Sequence, residues 1–94
     1  MHPSQAEGFE WDDGNLEELA RHSIRDIEVE QVFENEPKFG PNRGGRSGDW
    51  KMIGRTNGGR VLTIIVLAQP ATRTLRAITG WNSTTGERRR YVWE

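Results

Sequence analysis

Residues 61–67, VLTIIVL, form an apolar and largely β-branched run interrupted only by Thr63. The run lacks the polar alternation of a strand with one wet face, so it predicts a central strand covered on both sides. A strand of that kind needs partners, and the flanking residues supply them. Asn57-Gly58, just upstream, is the strongest short hairpin signal, because both central residues of a type I′ turn need positive φ. It joins the run to DWKMIGRT (49–56), where Trp50, Met52 and Gly54 share one face and Lys51, Ile53 and Arg55 the other. After a turn at 69–73, TLRAITGW (74–81) supplies the third strand, with Leu75, Ala77 and Thr79 opposite Arg76, Ile78 and Gly80.

Upstream the period changes. GFEW (8–11) alternates Phe9 and Trp11 across Glu10 and suits a short edge strand. Leu16, Leu19 and Ala20 make one helical stripe, with Asn15 and Glu18 at capping-box spacing and His22 and Ser23 at its close. Val29, Val32 and Phe33 make a second stripe, with Asp26 as its candidate cap and its end before Pro37. Residues 38–48, rich in Gly and Pro and carrying Arg43 and Arg46, read as a mobile loop. STTGERRRYVWE (83–94) reads as a closing helix capped by Thr84 or Thr85. The expected fold class is α+β: a short N-terminal strand, two helices, a three-stranded antiparallel meander and a C-terminal helix. Residues 1–8 read as a disordered tail and 9–94 as a single domain.

Only 33% of the 94 residues are apolar, so the core is small and a stabilising partner is plausible. No cysteine is present, and one of the two histidines is His2, which argues against a zinc site and leaves no cofactor expected. No apolar run approaches the roughly 20 residues of a membrane span, and the opening MHPSQAEG lacks a signal-peptide pattern. The expected location is the cytoplasm. Net charge is −1, yet residues 1–36 hold eleven acids against two bases, and residues 37–94 hold three acids against eleven. Two readings fit: acidic helices that attract a basic sheet, or a basic face for phosphate with the acidic helices turned away.

Taken in order, FEWD (9–12), LARHSI followed by EVEQVFEN, MIGRTNGGRVLTIIV (52–66), LRAIT and ERRRY (87–91) resemble the BrnT toxin family over about residues 9–92. The resemblance implies a RelE-like ribonuclease toxin, neutralised by a ribbon-helix-helix antitoxin of the BrnA kind in a two-plus-two assembly. The chain departs from the family pattern at three places. Thr79-Gly80-Trp81 stands where Ser-Ala-Arg is usual, Ser23 replaces a glycine, and Asp49 replaces a basic residue.

Cutting RNA without a metal needs the 2′-hydroxyl activated, the phosphate charge stabilised and the 5′-oxygen protonated. The expected catalytic set is Arg55, Arg60, Arg76 and His22: arginine forks match phosphate oxygens, and His22 is the imidazole in the body of the chain. If 74–81 pairs beside the central strand, the three arginines can converge on an open face. The expected RNA-binding set is Trp81, which can stack on a base, with Arg88 and Tyr91. Each residue also has a plainer use: the arginines as a solvated hairpin rim, His22 as a helix cap, Trp81 and Tyr91 as packing. The alternative to a nuclease is a BrnT-like binding module that contacts an antitoxin-like protein or nucleic acid without cutting. A third possibility is a small structural domain.

Overall fold

The apolar run lies at the middle of a five-stranded sheet. The computed structural model describes residues 1–44 and 49–91, except for the Tyr91 side chain. Arg46 and the Tyr91 ring, both singled out above, lie outside the described residues. The strands are β1 (Gly8–Glu10), β2 (Lys38–Pro41), β3 (Asp49–Arg55), β4 (Val61–Gln69) and β5 (Thr74–Asn82), in the spatial order β1-β5-β4-β3-β2. The helices are α1 (Asp13–Arg21), α2 (Asp26–Glu34) and α3 (Thr85–Tyr91).

The expected meander is there as β3-β4-β5, but the sheet is larger. Strand β2 adds to β3 antiparallel, and β1 adds to β5 in parallel. β2 was hidden inside the Gly- and Pro-rich stretch read as a loop. Pro41 is tolerated because an edge strand leaves one side of its backbone unpaired, and Phe39 packs on the core. Residues 1–8, expected as a disordered tail, are also placed differently. Pro3–Gln5 form one 3-10 turn in which Pro3 is buried, and Ala6 belongs to the core. The His2 ring caps that turn and lies edge-on to Trp50, 4.9 Å between centroids.

The alternation of β3 and β4 separates two faces. Met52, Leu62, Ile64 and Val66 meet Leu19, Ile24, Val29 and Val32 in one cluster beneath α1 and α2. Ile53, Thr63 and Ile65 point the other way and are also buried. Helix α3 lies on that second face, where Glu87 reaches Thr63. Both faces of β4 are therefore covered, as its composition requires.

Four local expectations change. Asp26 is the first residue of α2 rather than its cap, a position that Arg25 holds. The cap of α1 is Asp12, which accepts from the Asn15 N–H at 2.9 Å while Asn15 Oδ1 accepts from the Asp12 N–H at 2.8 Å. Asn15 is thus inside the helix, where its side chain also donates to the Glu10 carbonyl, and Ala20 is exposed. The hairpin is not type I′. Gly59 donates to the Thr56 carbonyl at 3.0 Å and alone carries positive φ, +92°, among the described glycines. The second glycine accommodates the left-handed position, giving a three-residue loop. In β5 a bulge opposite Ile65/Val66 shifts the alternation, so Gly80 rather than Thr79 follows Leu75 and Ala77 onto the core face. A Cβ on Gly80 would meet Ile64 Cδ1 at 2.7 Å and the Thr63 carbonyl at 3.0 Å, so a glycine suits this site.

Ser23 occupies a left-handed backbone position at the junction of α1 and α2. It sits at φ +58° after the C-cap His22, with its N–H on the Ala20 carbonyl and the Ile24 N–H on the Leu19 carbonyl, each 3.0 Å. Those bonds make a Schellman motif, whose left-handed residue is ordinarily glycine. Ser23→Gly should stabilise the fold by about 0.5–1 kcal/mol. A denaturant midpoint unchanged or lowered in that variant would contradict this account of the junction.

Candidate nucleic-acid interface

The charge division along the chain becomes a division between layers. Helices α1 and α2 carry Asp13, Glu17, Glu18, Asp26, Glu28, Glu30 and Glu34 on one side of the sheet. Helix α3, on the other side, carries Arg88, Arg89 and Arg90 in its last turn. Lys51 and Arg55 share the α3 face of β3 by alternation with Met52 and Gly54, which face the α2 side.

A single carboxylate organises the α3 face. Thr84 and Glu87 form a capping box: Thr84 Oγ1 accepts from the Glu87 N–H at 3.2 Å, and Glu87 Oε1 accepts from the Thr84 N–H at 2.9 Å. The same Oε1 accepts from the Trp81 indole Nε1 at 3.0 Å and from Thr63 Oγ1 at 3.1 Å. Oε2 faces Lys51 Nζ at 3.5 Å. Ser83 Oγ lies 2.8 Å from Thr63 Oγ1 and completes the network. Burial alone would raise the Glu87 carboxyl, but the Thr84 N–H, the Trp81 indole and the Thr63 hydroxyl outweigh it and hold it below the usual range.

A second polar cluster lies at the end of α1. β1 pairs only with Thr74, Leu75 and Arg76, so the rest of β5 has no strand on that side, and α1 packs there. Glu18 accepts from Thr79 Oγ1 at 2.8 Å, and His22 Nε2 lies 3.2 Å from the same Glu18 oxygen. The Thr79 hydroxyl, with His22 beside it, keeps the Glu18 carboxyl below its ordinary value. His22 is thus the C-cap of α1, with its imidazole held against the Glu18 carboxylate.

Arg60 joins this cluster through the backbone. Its Nη1 donates to both Glu28 oxygens at 2.9 and 3.0 Å and to the Ser23 carbonyl at 2.9 Å, and Nη2 donates to Asn82 Oδ1 at 3.1 Å. Arg60 therefore ties the α1–α2 junction to the ends of β4 and β5. Arg76 is held by Asp12, the cap of α1.

The three arginines do not converge. Arg55 is the register partner of Val61 and Arg76 that of Leu67, which separates them by about 20 Å along β4 at roughly 3.3 Å per residue. The reason is the register itself: β5 runs antiparallel to β4, so its first residues lie at the end of β4 farthest from the hairpin. Arg55 is exposed and makes no ion pair among the described residues. Trp81 is half-buried and, with Arg88, belongs to the α3 face, where Arg89 and Arg90 are exposed.

Sequence reasoning missed Glu87, Thr63, Lys51, Glu18, Thr79, Glu28 and Asn82. Two of these left a signal: Thr84 and Glu87 stand at capping-box spacing, and Thr63 is the polar break in the apolar run. The others become partners only through strand register and helix docking. No group of three or more metal-ligating side chains occurs among the described residues, and no described helix is long and apolar enough to cross a membrane. No protein-family model, curated protein or solved structure matches the chain.

Proposed function

We propose that the chain is a ribonuclease toxin of the BrnT kind, acting in the cytoplasm, that holds single-stranded RNA on the α3 side of its sheet. The observation that carries this reading is the separation of charge: acids on α1 and α2, and cations with an aromatic ring on the opposite face. Cations that track phosphates and a ring that stacks a base are the general means of holding a single strand. The order of strand, two helices, antiparallel strands and helix fits the RelE-like fold named by the resemblance. Arg55 is the exposed cation offered to the scissile phosphate on the α3 side, whereas His22, oriented by Glu18, sits across the sheet beside Thr79 of β5, away from that phosphate. Arg60 and Arg76 serve the fold instead. The acidic helix layer is the surface offered to a ribbon-helix-helix antitoxin, in a two-plus-two assembly.

The purified chain should cut a mixed-sequence RNA with or without ribosomes, and chelator should leave the rate unchanged. Arg55→Ala should slow cleavage by roughly 10²–10³-fold, the loss typical when one donor to developing charge is removed. The product of an adjacent ribbon-helix-helix gene should raise the melting temperature in a concentration-dependent way. A second reading, a module that binds RNA without cutting it, is favoured by the carboxylates that hold Arg60 and Arg76. Binding of RNA with no cleavage under any of these conditions selects that reading.

A further inference from the structure

We infer that Glu87 is a positioning residue that sets the Trp81 ring and the cationic helix α3 as one platform for a single-stranded nucleic acid; this rests on the RNA-binding reading above. The geometry is a convergence of four donors from four places on one side chain. Trp81 comes from β5, Thr63 from β4, Lys51 from β3 and the Thr84 N–H from the start of α3. The Glu87 side chain is only 13% exposed, so its acceptor capacity is met by protein groups rather than by bulk water.

Each bond has a separate consequence. The indole bond fixes the rotation of the half-buried Trp81 ring. The Thr84 bond closes the first turn of a helix too short to persist alone. The Thr63 bond anchors that turn to the buried centre of the sheet. Arg89 and Arg90 are exposed on the same short helix, two and three residues beyond the anchor, so their placement follows that of Glu87. A carboxylate suits this role and an amide does not. Every group facing Glu87 is a donor, and glutamine would turn its NH2 either toward Lys51 or toward the other three.

The test is Glu87→Gln, read by three measurements on the full chain. Amide hydrogen exchange of β4 checks the fold. Exchange of the α3 amides and the Trp81 indole N–H resonance, assigned with Trp81→Phe, report the platform. Binding of a labelled single-stranded 12-nucleotide RNA reports its use. The expected result is an intact β4, a shifted Trp81 indole signal, faster exchange in α3, and RNA binding weaker by roughly 10-fold, the scale of one lost stacking contact. If Glu87→Gln does not fold, Thr63→Val removes a single donor at nearly constant shape and must move the indole signal while weakening binding. An indole signal and RNA affinity equal to wild type in the folded variant would overturn the inference. Failure of the wild type itself to bind RNA would overturn the RNA-binding reading, and the platform role with it.

Discussion

Replacing Arg88, Arg89 and Arg90 together with alanine should weaken binding of a single-stranded RNA by about 100-fold at 0.1 M salt. The magnitude comes from counterion release. Each phosphate neutralised contributes roughly 0.7 to the slope of log K against log salt for a single strand, so three contacts contribute about 2. The loss should therefore shrink as salt rises and nearly vanish at about 1 M, where the mutant and parent lines converge. The helix should survive, because alanine is the best helix former and the Thr84–Glu87 capping box is retained. Filter binding across a salt series measures both slope and affinity. A slope equal to that of the parent would place the RNA somewhere other than the α3 face.

Arg60→Ala should destabilise the fold by about 2 kcal/mol, since it removes charge-assisted hydrogen bonds to a carboxylate, a carbonyl and an amide. For a chain of this size that is roughly 8–16 °C in Tm. The Glu28 side chain is 14% exposed, and without Arg60 it would keep its charge with the N–H and the charge of Arg25 to meet it. Arg60→Lys should recover a minor part, because one ammonium cannot span Ser23, Glu28 and Asn82 at once. The acid limb of stability changes too. Burial would raise the Glu28 carboxyl, but the Arg25 N–H and the Arg60 guanidinium outweigh it and set it below its ordinary 4.5. A carboxyl lowered by folding gives stability that is complete above the unfolded value and is lost as pH falls through the folded one. In Arg60→Ala that contribution should shrink, and the melting temperature should depend less on pH below about 4.5. A variant as stable as the parent would show that Arg60 is not held as described.

Elements whose signal is local were legible in the chain. The central strand followed from 61–67, both amphipathic helices from their stripes, and the α3 cap from the Thr84-Thr85 pair, of which Thr84 makes the box. The hairpin was placed correctly by Asn57-Gly58, but its type was not, because Gly59 offers a second position for positive φ. β1 was legible as a short edge strand from Phe9 and Trp11, but its parallel pairing with β5 was not, and β2 was missed. β1 is three residues long and pairs with a strand more than sixty residues away, and β2 carries the Gly and Pro that elsewhere mark loops.

The candidate site was legible only as a list of residue types. The sequence by itself determined an α+β order, a doubly covered central strand, a −9 segment before a +8 segment, and a set of cations with tryptophans among them. It could not determine which cations meet carboxylates, because that depends on strand direction and on a bulge, neither of which leaves a periodic mark. Antiparallel pairing sent Arg76 to Asp12, at the far end of β4 from the hairpin. The docking of α2 brought Glu28 to Arg60, and the docking of α3 brought Glu87 under Trp81. Charge and ring chemistry are properties of single residues and can be read one at a time. Their neutralisation or convergence is a property of pairs distant in sequence, which the tertiary structure alone selects.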